Sequence, residues 1–168
     1  MTLSHIDPAG RARMVDVGDK PESVRTARAE GLIRMSAAAF ELVKRNSGPK
    51  GNVLSTSELA GTVGAKQTPN LIPLCHPVGL DHVEVTASLN GELPGVKIAA
   101  SARATGKTGV EMEALTAVAI GLLTVYDMVK AVGHEMEIGE IHLVEKTGGT
   151  KGNWPGQTGR SPNNRGNS

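Results

Sequence analysis

The stretch Asp81–Ala104, DHVEVTASLNGELPGVKIAASARA, decides the fold. Its first half alternates. His82, Glu84, Thr86 and Ser88 fall in one row, and Val83, Val85, Ala87 and Leu89 in the other. A period of two marks a half-buried strand. Asn90-Gly91 opens a turn that Pro94-Gly95 closes, and Val96–Ala104 returns as a second strand. The segment therefore predicts a β-hairpin. A hairpin alone is marginally stable in water, so the flanking sequence must cover its apolar row.

Downstream, Thr105–Thr108 leads into the longest predicted helix, roughly Gly109 to Val132, with Gly133 as its stop. Glu137–Lys146, carrying Ile138, Ile141, Leu143 and Val144, predicts the last strand. Upstream, Val24–Met35 sorts into a polar row and a second row that is small or apolar after Arg25. Strand is favoured there, with helix as the alternative, because Ala and Arg are good helix formers. Ser36 suits the N-cap of a short helix to Lys44 or Arg45, ended by Asn46-Ser47-Gly48-Pro49. A second helix is expected over Val53–Ala65, with Leu54, Leu59 and Val63 among its apolar positions. Thr68-Pro69-Asn70, Pro73 and Pro77 break the chain beyond it.

The order strand, helices, strand, strand, helix, strand is the βαββαβ pattern of the α+β ferredoxin-like fold. Helices would cover one face of a four-stranded antiparallel sheet. Oligomerisation is the simplest cover for the other face. Residues 1–23 read as an extended arm, with at most a short strand around Met14–Val17. Residues 24–150 read as a single domain, and residues 151–168, rich in Gly, Asn and Pro, as a disordered tail.

Composition narrows the function. The 168 residues suit one domain with a core of its own. Phe40, Tyr126 and Trp154 are the only aromatic residues. Single-strand nucleic-acid binding leans on aromatic stacking, so these three argue against it. Residues 1–50 hold nine Lys/Arg against six Asp/Glu, and residues 51–150 hold six against eleven. A polyanion site would have to draw on the N-terminal third, and a broad nucleic-acid footprint is not expected. Cys75 is the single cysteine, which fits a reducing compartment. The thirteen residues between Glu113 and Asp127 are too few to span a bilayer, and no signal pattern opens the chain. A cytoplasmic protein with no membrane partner is expected.

Four features carry possible chemistry. Gly106-Lys107-Thr108 lies between a strand and a helix, but Ser101 stands where the nucleotide-hydrolase phosphate loop needs glycine. A plain strand-to-helix turn and a local phosphate contact both stay open. Leu74-Cys75-His76-Pro77 sets a thiol beside an imidazole. That is two ligands where structural zinc needs four, and packing is the plainer reading than a nucleophilic pair. Asp127 and Lys130 share one helix face, as a surface ion pair or an acid–base pair. Arg25, Arg28, Lys50, Lys66 and Lys146 are candidate phosphate partners, each more simply a solvated charge. Glu113 and Asp127 lie about 21 Å apart along the helix axis, too far to reach one reacting atom from the same helix copy. They could flank a long nucleotide, or two copies of the helix could meet across a subunit boundary.

Five runs carry a resemblance: Met14–Val17, Lys50–Val53, Leu71–Pro77, Thr105–Ala117 and Tyr126–Val132. Together they resemble the molybdenum cofactor biosynthesis protein C family, the cyclic pyranopterin monophosphate synthases, in colinear order over about residues 4–152. The resemblance implies a ferredoxin-like phosphorus–oxygen lyase. It would convert 3′,8-cyclo-7,8-dihydroguanosine 5′-triphosphate to cyclic pyranopterin monophosphate and pyrophosphate. It further implies a homohexamer, a trimer of dimers with sites at a subunit interface. Asp127 and Lys130 match the proton-transferring residues. Leu74, Cys75, His76, Met112 and Glu113 match the substrate-binding segments, and Lys50, Arg25 and Lys146 match basic residues near the substrate. No resident metal or redox cofactor is expected, with Mg²⁺ on the substrate phosphates left open. The expected chemistry is acid–base, with Asp127 and Lys130 both shifted towards neutrality. Asp127 and Lys50 variants are expected to complement one another if the site is shared. A binding module that does not consume its ligand and a nucleoside triphosphatase are the competing readings.

Overall fold

Seven elements follow one another in a computed structural model that describes residues 9–46, 50–150 and 152–156. They are β1 (Ser23–Arg34), α1 (Ala37–Lys44), α2 (Val53–Leu71), β2 (Leu80–Asn90), β3 (Gly95–Gly106), α3 (Glu111–Val129) and β4 (Glu137–Thr147). All strand pairs are antiparallel, in the order β2-β3-β1-β4. This is the α+β ferredoxin-like arrangement.

The alternation in the strands sets the two layers. Ala27, Ala29, Gly31 and Ile33 of β1 join Val96, Ile98, Ala100, Ala102 and Ala104 of β3 on the buried face. α3 lies on this face with Val118, Leu122, Val125 and Val129 fully buried. Gly31 is small for a reason: a Cβ there would come within 3 Å of Leu122 Cδ1 and Val118 Cγ1. α3 is long and apolar enough to match a membrane span by composition alone, since it extends beyond the thirteen residues between Glu113 and Asp127. Its apolar residues serve the core, between the sheet and α2.

The opposite sheet face is polar. Arg28 pairs with Glu145, Lys97 with Glu30 and Arg34 with Glu140 across neighbouring strands. Such half-exposed pairs satisfy charge with little net stabilisation.

Four local expectations need correction. α2 runs six residues past Ala65, through Pro69. Proline removes one intrahelical bond, but in the last turn Thr68 is fully buried and its hydroxyl donates to Gly64 O. Leu59 and Val63 are not its core positions, being 67 % and 51 % exposed. α2 instead buries Ser57, Gly61, Gly64 and Ala65. A Cβ on Gly61 would stand 2.9 Å from Ala117 O, and one on Gly64 2.8 Å from Ile120 Cβ, so the glycines let α2 and α3 approach closely. α3 ends at Val129, three residues early, with Lys130 as its C-cap. Residues 14–17 form no strand; Asp16 Oδ1 accepts from Gly18 N–H and Lys107 Nζ donates to Gly18 O, which ties the arm to its own domain.

Ser36 caps α1 by accepting from Ala39 N–H, as the sequence predicts. Asn46 adopts a left-handed φ of 50° after α1, while residues 47–49 of the expected break lie outside the described residues. Within the stretch read as a tail, residues 152–156 return beside β4 through a bridge between Lys146 and Trp154. Residues 151 and 157–168 lie outside the described residues.

Candidate active site

The two ends of α3 carry two separate groups of polar side chains. At its start is a cavity of about 500 Å³ between the arm, the beginning of β1, the Leu74-Cys75-His76 segment and the end of β4. The local folding explains how these meet. β3 ends at Gly106, the chain turns through Lys107–Gly109, and α3 opens with Glu111, Met112 and Glu113 in its first turn. Arg25 enters from the first residues of β1, and Lys146 from the last residues of β4.

The lining of the cavity mixes apolar and cationic side chains. Leu74, Met112, Val15 and Val17 line it together with Lys20, Arg25, Lys107 and Lys146. Arg25 donates to Gly106 O and Lys107 O, both at 3.4 Å. Gly149 lies so close to the guanidinium that a Cβ would collide with Nη1. Lys146 Nζ donates to Glu111 Oε1 at 2.7 Å. Acidic residues in a first helical turn complement the helix dipole, so Glu111 is well placed both for α3 and for holding Lys146.

Glu113 lies behind this wall, only 1 % exposed. Cys75 Sγ donates to its Oε1 at 3.9 Å, and its Oε2 is buried with no protein partner. Burial pushes the Glu113 carboxyl above its usual range, and the charge of Glu111 adds to the rise. Burial likewise raises the Cys75 thiol, with Glu113 next in effect. A thiol held protonated beside a carboxylate is a poor nucleophile. Cys75 therefore acts as a hydrogen-bond donor to Glu113 in this arrangement.

The second group sits at the far end of α3. Asp127 is gripped by two amines: Lys130 Nζ lies 2.7 Å from Oδ1, and Lys50 Nζ lies 2.7 Å from Oδ2 and 3.1 Å from the Asp127 carbonyl. The hydrogen bond from Lys130, with that from Lys50 behind it, holds the Asp127 carboxyl down at about 2. The same bond raises Lys130. The expectation that both would shift towards neutrality is thus reversed in the single chain. The triad is exposed, and water does not penalise its charges.

Of the expected site residues, the fold brings Leu74, Cys75, His76, Met112, Arg25 and Lys146 to one cavity, with Glu113 behind it. It leaves Lys50, Asp127 and Lys130 together elsewhere. Lys50 therefore belongs with Asp127, so variants of those two residues cannot report on a site shared between chains. Among the other phosphate candidates, Arg28 pairs with Glu145 on the polar sheet face, and Lys66 is exposed on α2. Sequence reasoning missed Lys20, Glu111 and Lys107 as parts of this neighbourhood. Lys107 had a signal in Gly106-Lys107-Thr108. Glu111 was visible only as a first-turn acid, and Lys20 only through the basic excess of the N-terminal third.

Comparison with known proteins identifies the family. Residues 14–149 match the sequence pattern of the MoaC family. A protein from Roseiflexus sp. (strain RS-1), named cyclic pyranopterin monophosphate synthase, is 51 % identical over 152 residues, covering 90 % of this chain and 96 % of that relative. A protein of the same name from Brucella ovis is also 51 % identical over 152 residues, covering 92 % of its length. One from Brucella canis is 50 % identical over the same span. The match runs through both polar groups on α3 and every strand of the sheet, and on it this chain belongs to the MoaC family.

Proposed function

We propose that the protein is a cyclic pyranopterin monophosphate synthase of molybdenum cofactor biosynthesis, acting in the cytoplasm. Its substrate is 3′,8-cyclo-7,8-dihydroguanosine 5′-triphosphate, and its products are cyclic pyranopterin monophosphate and pyrophosphate, which makes it a phosphorus–oxygen lyase. The observation that carries this reading is the cavity itself, whose lining brings apolar Leu74 and Met112, for a ring, together with Lys20, Arg25, Lys107 and Lys146, for phosphates. Volumes of this size suit small-molecule ligands.

The working site is shared between chains of a homohexamer built as a trimer of dimers. One chain supplies the cavity and a neighbour supplies Lys50, Asp127 and Lys130. What supports this is the spacing of about 21 Å between Glu113 and Asp127 on one rigid helix. Covering the exposed triad with another protomer strips water from it. That raises a carboxylate and lowers an amine, the direction proton exchange requires.

In the phosphate step a ribose-derived hydroxyl attacks the α-phosphorus. A new P–O bond forms, the bond from the α-phosphorus to the bridging oxygen breaks, and pyrophosphate leaves with that electron pair. The hydroxyl proton passes to a base. Arg25 and Lys146 stabilise charge on the phosphate oxygens. The ring chemistry is a rearrangement with no net redox change, so the reading includes no redox cofactor; Mg²⁺ would act only on substrate phosphates.

Incubation with the cyclised nucleotide, followed by mass analysis of the pterin, tests the proposal. Stoichiometric cyclic pyranopterin monophosphate and pyrophosphate are expected, with no phosphate released from plain GTP. Tight binding of the nucleotide without consumption would leave a binding module instead. Phosphate release from GTP would favour the triphosphatase.

A further inference from the structure

We propose that residues 152–156 form an edge strap that positions Lys146 and the Gly148-Gly149 turn at the cavity. The proposal rests on the reading of that cavity as the phosphate-binding part of the site. β4 is an edge strand, paired only with β1 among the named strands. An unpaired edge at the end of a strand frays unless something ties it down.

At Lys146 the strap supplies the tie. Lys146 N–H donates to Trp154 O and Trp154 N–H donates to Lys146 O, both at 2.9 Å. Gly148 N–H donates to Asn153 Oδ1 at 3.1 Å. The reversal is closed by Gly152 N–H to Gly149 O at 3.1 Å, and Gly148, Gly149 and Gly152 all have positive φ, at 87°, 86° and 71°. Gly156 passes so near Val144 O that a Cβ would collide with it. Lys146 is thereby held on both sides, by Ala27 of β1 and by Trp154 of the strap.

The side chains follow from that register. Directly opposed residues of an antiparallel pair point to the same face. Trp154 thus stands on the face from which Lys146 reaches Glu111. The strap also fixes Gly149 against the Arg25 guanidinium. Two of the cations lining the cavity therefore depend on residues beyond 149, where the family match ends.

Four variants of the full chain test this: truncation after Gly156, truncation after Thr150, Trp154→Phe and Trp154→Pro. Proline at 154 removes the amide that donates to Lys146 O, whereas phenylalanine keeps it. Hydrogen exchange of the Lys146 amide reads the strap directly. Trp154 is the only tryptophan and is lost from both broken-strap variants, so titration calorimetry with inorganic tripolyphosphate, not emission, reads binding at the cavity in all four variants.

The Thr150 truncation and Trp154→Pro are expected to lose protection at Lys146, to weaken tripolyphosphate binding and to lower kcat/KM for the cyclised nucleotide about tenfold. The Gly156 truncation and Trp154→Phe should match the parent. Unchanged kcat/KM in Trp154→Pro, or retained protection of the Lys146 amide there, overturns the proposal. If the Thr150 truncation fails to fold, Trp154→Pro decides alone. If the parent forms no pterin, the proposed function fails, while Lys146 exchange and tripolyphosphate affinity still decide the strap.

Discussion

Asp127→Asn and Lys146→Ala, each expected to be inactive alone, should restore one another when mixed. The magnitude follows from where the two residues lie. Lys146 belongs to the cavity and Asp127 to the triad at the other end of α3. Consider a site built from the cavity of one chain and the triad of its neighbour. In a random one-to-one assembly, a site is intact when the cavity comes from the Asp127 variant and the triad from the Lys146 variant. Both conditions hold in about a quarter of sites in a symmetric oligomer with free exchange. The assay is pterin yield after co-expression with two affinity tags and isolation of doubly tagged assemblies. Mixing Asp127→Asn with Lys50→Ala is the control. Both changes fall in the same triad, so every triad is damaged and no recovery is expected. Doubly tagged assemblies with no activity above either parent would refute the shared site. Equal recovery in the control would refute the assignment of Lys50.

Two further outcomes are expected from the buried side chains. Burial raises the Glu113 carboxyl in the folded state, so its contribution to stability is full below the ordinary glutamate range and is lost as pH rises through the folded value. Glu113→Gln should flatten that fall, and its urea midpoint relative to the parent should improve between pH 5 and pH 8; parallel curves would contradict the account. Leu122 is fully buried against β1, so Leu122→Ala should cost about 2–5 kcal/mol by calorimetry or denaturant unfolding. A loss under 1 kcal/mol would mean the core refills the space by relaxation.

The sheet was legible because its signal is local. Alternation in Val83–Ala87 and Ala27–Ile33 fixes which side chains face inward, and the structure keeps both rows, while Leu89 at the end of the β2 row is exposed. α2 was less legible because it packs by what it lacks. Its contact with α3 is made by Gly61 and Gly64, and apolar counting picked the exposed Leu59 and Val63 instead. The strap left no pattern in side-chain chemistry, since it is held by backbone bonds and left-handed glycines in a stretch whose composition resembles disorder. The candidate site residues could be named from their runs, but not their grouping. Lys50 and Asp127 are 77 positions apart in sequence and bonded in space.

That grouping changes what the triad can do. In one chain, two ammonium groups pin a carboxylate that has no reason to take up a proton near neutral pH. The arrangement is a stable ion cluster in water and a poor acid–base pair. The proton transfer proposed for this cluster would need either a phosphate that draws Lys50 or Lys130 away from Asp127, or a neighbouring wall that removes the water. The first leaves Asp127 with one cation and moves it back towards its ordinary value. The second raises the cost of every charge in the cluster. Under the proposed shared site both would act only when the neighbouring chain's part arrives, and the isolated protomer would rest until then. The rigid length of α3 holds the cavity and the triad of one chain at opposite ends of the helix.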